Sequence, residues 1–239
     1  MFDALYLSPH FDDAVLSCGG NIHRRVGRGE RVVVVTVFAA PPPNDLSPFA
    51  QSLHARWSAL QLPEGSKPSG SLPFDRAQED RQALKRLGAE CVHLNYHDCI
   101  YRRAENRWLY DSEESLWGDV SSLEMFLVDE LAKTFNDVAP LKPNAEVWSP
   151  FAIGDHVDHR LVKLAASDWG KKLKRRFRHY ADYPYAESVL GGIEIPLSDS
   201  DRQAKIESIR CYSSQISTFW EDDSAMVNRV SQWTERAFE

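Results

Sequence analysis

The sequence predicts an α/β fold: a Rossmann-like, mainly parallel sheet flanked by helices, with a small C-terminal extension. Three observations predict it. A short apolar run at Ala4–Ser8, a segment of helical period at Asp13–Arg28 and a second apolar run at Arg31–Ala39 follow one another closely, and such strand–helix–strand units build parallel sheets. The second run is rich in β-branched residues with little polar alternation, the pattern of a strand covered on both faces. The 239 residues are of ordinary globular make-up, 43% hydrophobic and 26% charged. No internal repeat or compositional break divides them, so residues 1–239 are read as a single domain.

Each element has its own signal. In Asp13–Arg28, Ala14, Val15, Cys18, Ile22 and Val26 fall near helical spacing, and Gly27 and Gly29 stop the helix. Pro41–Pro73 carries seven of the thirteen prolines and reads as a long loop with one helix over His54–Leu62, suited to walling a cleft. Phe74–Gly88 is a helix with Ala77, Ala83, Leu84 and Leu87 inward and Gly88 as its stop. Cys91–Tyr96 is a third strand, and Ser121–Phe135 an amphipathic helix with Leu123, Phe126, Leu127 and Leu131 on one face. Glu146–Ser149 is a fourth strand and Asp155–Trp169 a helix, with Asp155 and Asp158 placed to act as its N-cap and first-turn acids. Beyond that the alternation weakens: Tyr180–Tyr185 and Gly192–Pro196 read as strands, Asp199–Tyr212 and Ser224–Phe238 as helices.

Composition excludes several function classes. The net charge of −7 disfavours nucleic acid as the partner, since phosphate contact favours a basic surface. The longest apolar stretch, Val32–Ala40, is too short to span a bilayer, and Met1-Phe2-Asp3 leads straight into a strand rather than a secretion signal. Four cysteines without CxxC spacing read as reduced thiols, and so as a cytoplasmic protein. A small-molecule substrate is the expected partner, with a homo-oligomer compatible.

The chemistry concentrates in two places. Ser8-Pro9-His10-Phe11-Asp12-Asp13 follows the first strand, and His156-Val157-Asp158-His159 follows the fourth. Ligands of an open parallel sheet bind beyond the carboxyl ends of its strands, which brings both clusters to one rim. Together they supply imidazole nitrogens and carboxylate oxygens, the inventory of a divalent metal that activates water. Two histidines and one aspartate suit zinc, and also iron(II), manganese or cobalt.

This pairing resembles the LmbE-like, or PIG-L, family of metal-dependent N-deacetylases, which carries (A/P)-H-x-D-D after its first strand and H-x-D-H after a later one. Here these stand as Pro9-His10-Phe11-Asp12-Asp13 and His156-Val157-Asp158-His159. Weaker matches are Gly19-Gly20, Arg76-x-x-Glu79 leading to Leu87-Gly88, and Lys205 followed by Tyr212-x-Ser214-Gln215. The resemblance implies that His10, Asp13 and His159 ligate zinc, that Asp12 is the general base, and that His156 faces the oxyanion and can protonate the leaving amine. It further implies that Asp158 orients His156 and that Arg76 and Asp98 contact the substrate. The implied reaction is hydrolysis of an N-acetyl group from an N-acetylglucosamine-type amino sugar or glycoside.

The sequence departs from the family pattern at Phe11, where many members have proline, and at Ala14, where many have glutamate. Gly154 stands where some members place a supporting tyrosine, which moves any such help to Tyr183 or Tyr185. Two rival functions are a deacylase of a non-sugar amine, such as an antibiotic precursor or thiol conjugate, and a non-catalytic sugar-nucleotide-binding module. The absence of GxGxxG and of GxxxxGK[ST] weighs against the latter, and Gly19-Gly20 reads as tight helix packing.

Overall fold

A computed structural model describes residues 1–61, 75–173, 176–187, 189 and 191–239. Pro63, Pro68 and Pro73, and the end of the helix expected over residues 54–62, lie outside the described residues; the helix itself starts earlier than expected, as α2 (Pro48–Gln61).

In chain order the elements are β1 (Phe2–Ser8), α1 (Asp13–Gly27), β2 (Val32–Thr36), α2, α3 (Arg76–Leu87), β3 (Glu90–His93), the two-residue strands β4 (Arg103–Ala104) and β5 (Arg107–Trp108), and α4 (Phe126–Asp137). There follow β6 (Leu141–Pro150), α5 (Val157–Leu173), β7 (Arg176–Tyr180), β8 (Ile193–Glu194), α6 (Asp199–Ile209), α7 (Ser213–Phe219), α8 (Asp223–Gln232) and β9 (Arg236–Phe238). The main sheet has seven strands in the order β3-β2-β1-β6-β7-β9-β8. The first five run parallel, and β9 pairs antiparallel with both β7 and β8. The chain leaves β1 toward β2 on one side and later returns to β6 on the other. This reversal opens a crevice at the carboxyl ends of β1 and β6.

Strand alternation decides which layer each residue serves. Ala4 and Tyr6 of β1 pack with Val15, Ile22, Leu84 and Ile206 from α1, α3 and α6. Leu5 and Leu7 face the opposite way, onto Leu131, Phe135, Leu161 and Val162 of α4 and α5. A smaller cluster, Ala50 and Leu53 of α2 with Ile100, Tyr101, Tyr110 and Leu116, forms a separate apolar group. No helix among the described residues is long and apolar enough to cross a membrane.

The C-terminal region differs from its prediction in instructive ways. The strand expected at 180–185 lies earlier in the chain, as β7, and ends at Tyr180. The helix expected to reach Phe238 stops at Gln232, and residues 236–238 join the sheet instead. The cause is Glu235, fully buried, whose carboxylate accepts from Lys205 Nζ and from the backbone N–H of Gly20 and Asn21, each at 2.9 Å. That latch draws the chain out of the helix and into the sheet, so the end of the chain completes the fold rather than extending it. In α4, Ser121 caps a preceding turn of 3₁₀ helix, and Leu127, Leu131 and Phe135 are buried while Phe126 is 62% exposed, against its expected inward place.

Candidate metal centre and cleft

The loop after β1 is laced into one conformation. Ser8 Oγ donates to the His10 carbonyl at 2.6 Å and accepts from Ala14 N–H at 3.0 Å, while His10 N–H donates to Asp13 Oδ2 at 2.7 Å. Asp13 is the first residue of α1, where the helix dipole favours a carboxylate. Across the crevice, the loop from β6 to α5 holds Ala152, Gly154 and Asp155 at positive φ, and this tight turn delivers His156 to the position just before α5. Asp158 stands in the first turn of α5, as the spacing suggested, but Asp155 does not cap the helix. His156 does so itself: its Nδ1 accepts from Asp158 N–H at 3.3 Å.

Asp13 Oδ2 lies 3.2 Å from His10 Nδ1 and 3.3 Å from His159 Nε2, and one donor atom from each of the three residues lies within 4.8 Å of the others. A tetrahedral ion with ligands at about 2.0–2.1 Å spaces its donors by about 3.3–3.4 Å, so the donor set fits zinc or a similar ion. Each imidazole is held from behind, as ligating histidines are. His10 Nε2 contacts Asp158 Oδ2 at 2.9 Å, and His159 Nδ1 contacts Asp182 Oδ1 at 2.8 Å. Other overlapping groups include Asp158, but its carboxylate is already engaged by Arg102 Nη1 at 2.6 Å and by Cys99 N–H at 3.0 Å.

Asp158 thus stands elsewhere than the resemblance implied. Its carboxylate hydrogen-bonds to His10 and lies within 4.8 Å of a His156 ring nitrogen, while the hydrogen bond to His156 comes from its backbone amide. Its side chain is fully buried, and Arg102, itself paired with Glu124 at 2.7 and 3.0 Å, with His10 keeps it far below the usual carboxylate range despite burial.

The protonation states follow from the same contacts. Burial works against charge on His159, but Asp13 and Asp182 outweigh it and hold the ring up to about 10. Burial raises the Asp13 carboxyl, and His159 and His10 more than offset that. Asp12, 5% exposed, is raised by burial and by Asp13, with Arg76 Nη2 at 3.7 Å opposing. His156 goes the other way: burial first, then His10, brings it down to about 3. It is a neutral ring, and because Nδ1 accepts a hydrogen bond its proton sits on Nε2.

Beside the centre runs a cleft of about 700 Å³. Phe11, Trp57 and Tyr101 give it aromatic walls, and the prolines at 41–43 form part of its rim, as the proline-rich stretch suggested. Arg76 and Asp98 join the cleft to the centre: Arg76 lies by Asp12, its guanidinium over the Phe11 ring, and Asp98 lies 3.7 Å from His10 Nε2. On the far side, Trp117 and Tyr185 present their edges to His156 and His159. Tyr185 packs on Gly154 so closely that a Cβ there would meet it at 2.9 Å, whereas Tyr183 is buried against Trp220 and Trp233.

Sequence reasoning missed Asp182, Arg102, Trp117 and the position of Tyr185. Asp182 carried a usable signal, an acid just past a parallel strand on the same rim; the others come from loops. The weaker motif residues serve packing. Glu79 accepts from Ser213 and Ser214, Tyr212 donates to Asp80 at 2.6 Å, and Gly19 lies against the Lys205 stem.

The family model described as PIG-L: GlcNAc-PI de-N-acetylase matches residues 5–169. The 2'-N-acetylparomamine deacetylase of Niallia circulans is 30% identical over 190 residues, 76% of this chain and 66% of that protein. The enzyme of the same name from Streptomyces fradiae is 27% identical over 185 residues, 76% of this chain and 57% of its own. The chain thus spans less than two thirds of the length of either relative. Among solved structures, the zinc-inhibited form of teicoplanin deacetylase is 28% identical, covers 98% of this chain and 96% of its own, and superposes with a TM-score of 0.75. A deacetylase–teicoplanin complex gives 27% identity, 98% and 96% coverage and a TM-score of 0.77. The chain belongs to the PIG-L family.

Proposed function

We propose that this protein is a zinc-dependent N-deacetylase that releases acetate from an N-acetylated amino sugar or a glycoside carrying one. The observation that carries the reading is the convergence of His10, Asp13 and His159 at tetrahedral spacings beside a buried second carboxylate, Asp12. The names of the relatives, deacetylases of acetylparomamine and teicoplanin, point to the same reaction class.

His10, Asp13 and His159 hold the metal. When bound, the ion supplies Lewis acidity and lowers the pKa of water from 15.7 toward about 7. Asp12 takes the proton from the attacking water; burial makes it a stronger base, with Arg76 opposing that rise. The neutral His156 offers its Nε2–H to the oxygen that gains charge as the amide carbonyl becomes tetrahedral. A ring that stays neutral carries no imidazolium proton to donate, so the leaving amine takes its proton back from Asp12. Asp158 and Asp182 hold the two ligating rings in place. Arg76 and Asp98 present charge to sugar hydroxyls, and the walls formed by Phe11, Trp57 and Tyr101 suit a sugar face.

The test is metal analysis of the purified protein combined with acetate release from N-acetyl amino sugars, their glycosides and N-acetylated non-sugar amines. Chelator-sensitive release from the sugars supports the reading. Release confined to non-sugar amines overturns the substrate, and chelator-insensitive release overturns the metal.

A further inference from the structure

A second group of metal-capable side chains lies outside the centre just described. Cys91 and His93 are two apart on β3, so both project to one face of the sheet. The register pairs Cys91 with Val34 and His93 with Thr36. Asp80 of α3 comes down on that face from above. Cys91 Sγ lies 3.1 Å from His93 Nε2, His93 Nε2 lies 2.8 Å from Asp80 Oδ2, and Sγ lies 3.9 Å from the same oxygen.

Two readings compete. A Cys-His-Asp relay would place thiol and carboxylate on opposite nitrogens of the imidazole. Here both meet the same nitrogen, so a relay does not fit. Three donors of three kinds converging on one region fit coordination instead. Their separations bracket the edges of a tetrahedron with one sulfur, one nitrogen and one oxygen ligand, about 3.3–3.6 Å. The carboxylate is also braced as metal-binding carboxylates are: Thr36 Oγ1 donates to Asp80 Oδ2 at 3.0 Å, and Tyr212 donates to Oδ1 at 2.6 Å. Asp80 is 1% exposed, while Cys91 and His93 are half-buried, and His93 lines the cleft and meets the edge of Phe11.

We propose that Asp80, Cys91 and His93 form a second divalent-metal site for a thiophilic ion, zinc or cadmium, at the cleft wall. The thiolate gives it a selectivity that the nitrogen and oxygen donors of the first centre lack.

The test is cobalt(II) titration of the whole metal-stripped chain, followed by absorbance. Two equivalents bind, and the second brings a thiolate-to-cobalt charge-transfer band, since the first centre contains no sulfur. Cys91→Ser abolishes that band and weakens the second equivalent at least tenfold, while the first equivalent binds as before and so reports an intact fold. His93→Gln is an independent variant with the same expected result. Cys99→Ser, at a buried thiol beside Asp98, keeps the band. A single equivalent in the wild type, or a band that survives Cys91→Ser, overturns the proposal. Either result leaves the deacetylase reading standing, because acetate release is measured separately.

Discussion

Replacing Asp158 by asparagine separates two roles for this carboxylate. Asparagine keeps the shape and still accepts from Cys99 N–H, but the charged partner of His10 Nε2 is lost. Removing the partner behind a ligating histidine costs about 10–100-fold in metal affinity, or about 1.4–2.7 kcal/mol. Arg102 loses one of its two carboxylates but keeps the two-pronged contact with Glu124, so the chain stays folded. A weakened buried charged hydrogen bond costs about 1–3 kcal/mol, which for a chain of this size lowers Tm by about 2–12 °C. The assay is competition for zinc against a chromophoric chelator, read beside kcat at saturating metal. Affinity should fall within that range, and kcat should recover in part as zinc is raised. Unchanged zinc affinity with a large loss of kcat would return Asp158 to His156 and refute the reasoning.

Asp12→Asn should keep zinc and lose about 10²–10⁴-fold in kcat, whereas His159→Ala should lose zinc as well, with elemental analysis of both variants as the check. Gly154→Ala puts a methyl group at φ +90 against Tyr185, and strain of about 1–3 kcal/mol should lower Tm and kcat while the zinc content stays at the wild-type level. His179, lowered by burial and then by nearby Lys163, stays neutral in the folded chain with Ser149 Oγ 2.8 Å from its Nδ1. A folded pKa below the unfolded one gives stability that is present above about 6.5 and lost as pH falls, because the unfolded ring then takes up the proton. The stability gap between wild type and His179→Gln should therefore narrow between pH 7.5 and 5.5 in denaturant titrations, and a gap that widens would contradict the burial of a neutral ring.

What could be read in advance follows the range of the interactions. Arg31–Ala39 announces a buried strand, and Ser8–Asp13 announces a site, because β propensity and motif spacing are local. The crevice rule then places residues near positions 10 and 156 together without any knowledge of side-chain packing. Sequence patterns fail where a distant partner overrides local preference. Residues 233–238 have helical spacing, yet Glu235 is drawn in by Lys205 and two backbone amides of α1. The position of the Asp158 carboxylate has the same origin. Spacing puts it next to His156, but Arg102 and Cys99, from a loop more than fifty positions away, turn its carboxylate toward His10.

The charge distribution gives a reason for the metal to sit where the donors do. Asp12, Asp13, Asp98, Asp158, Asp182 and Glu124 crowd the crevice, most of them buried, while Arg76 and Arg102 bring fixed positive charge to them and Lys163 acts on Asp182 from further off. Burying carboxylates without compensation is costly, so a surplus of this size calls for further positive charge at its middle. Arg102 already answers Asp158 and Glu124, and Arg76 stands on the cleft side of Asp12. The remaining acids, Asp13 directly and Asp182 through His159, face the point between His10 and His159. A dication there would neutralise the surplus and would leave Asp12, one residue away, unliganded. The carboxylates behind His10 and His159 fix which ring nitrogen faces inward, which is a requirement of ligation.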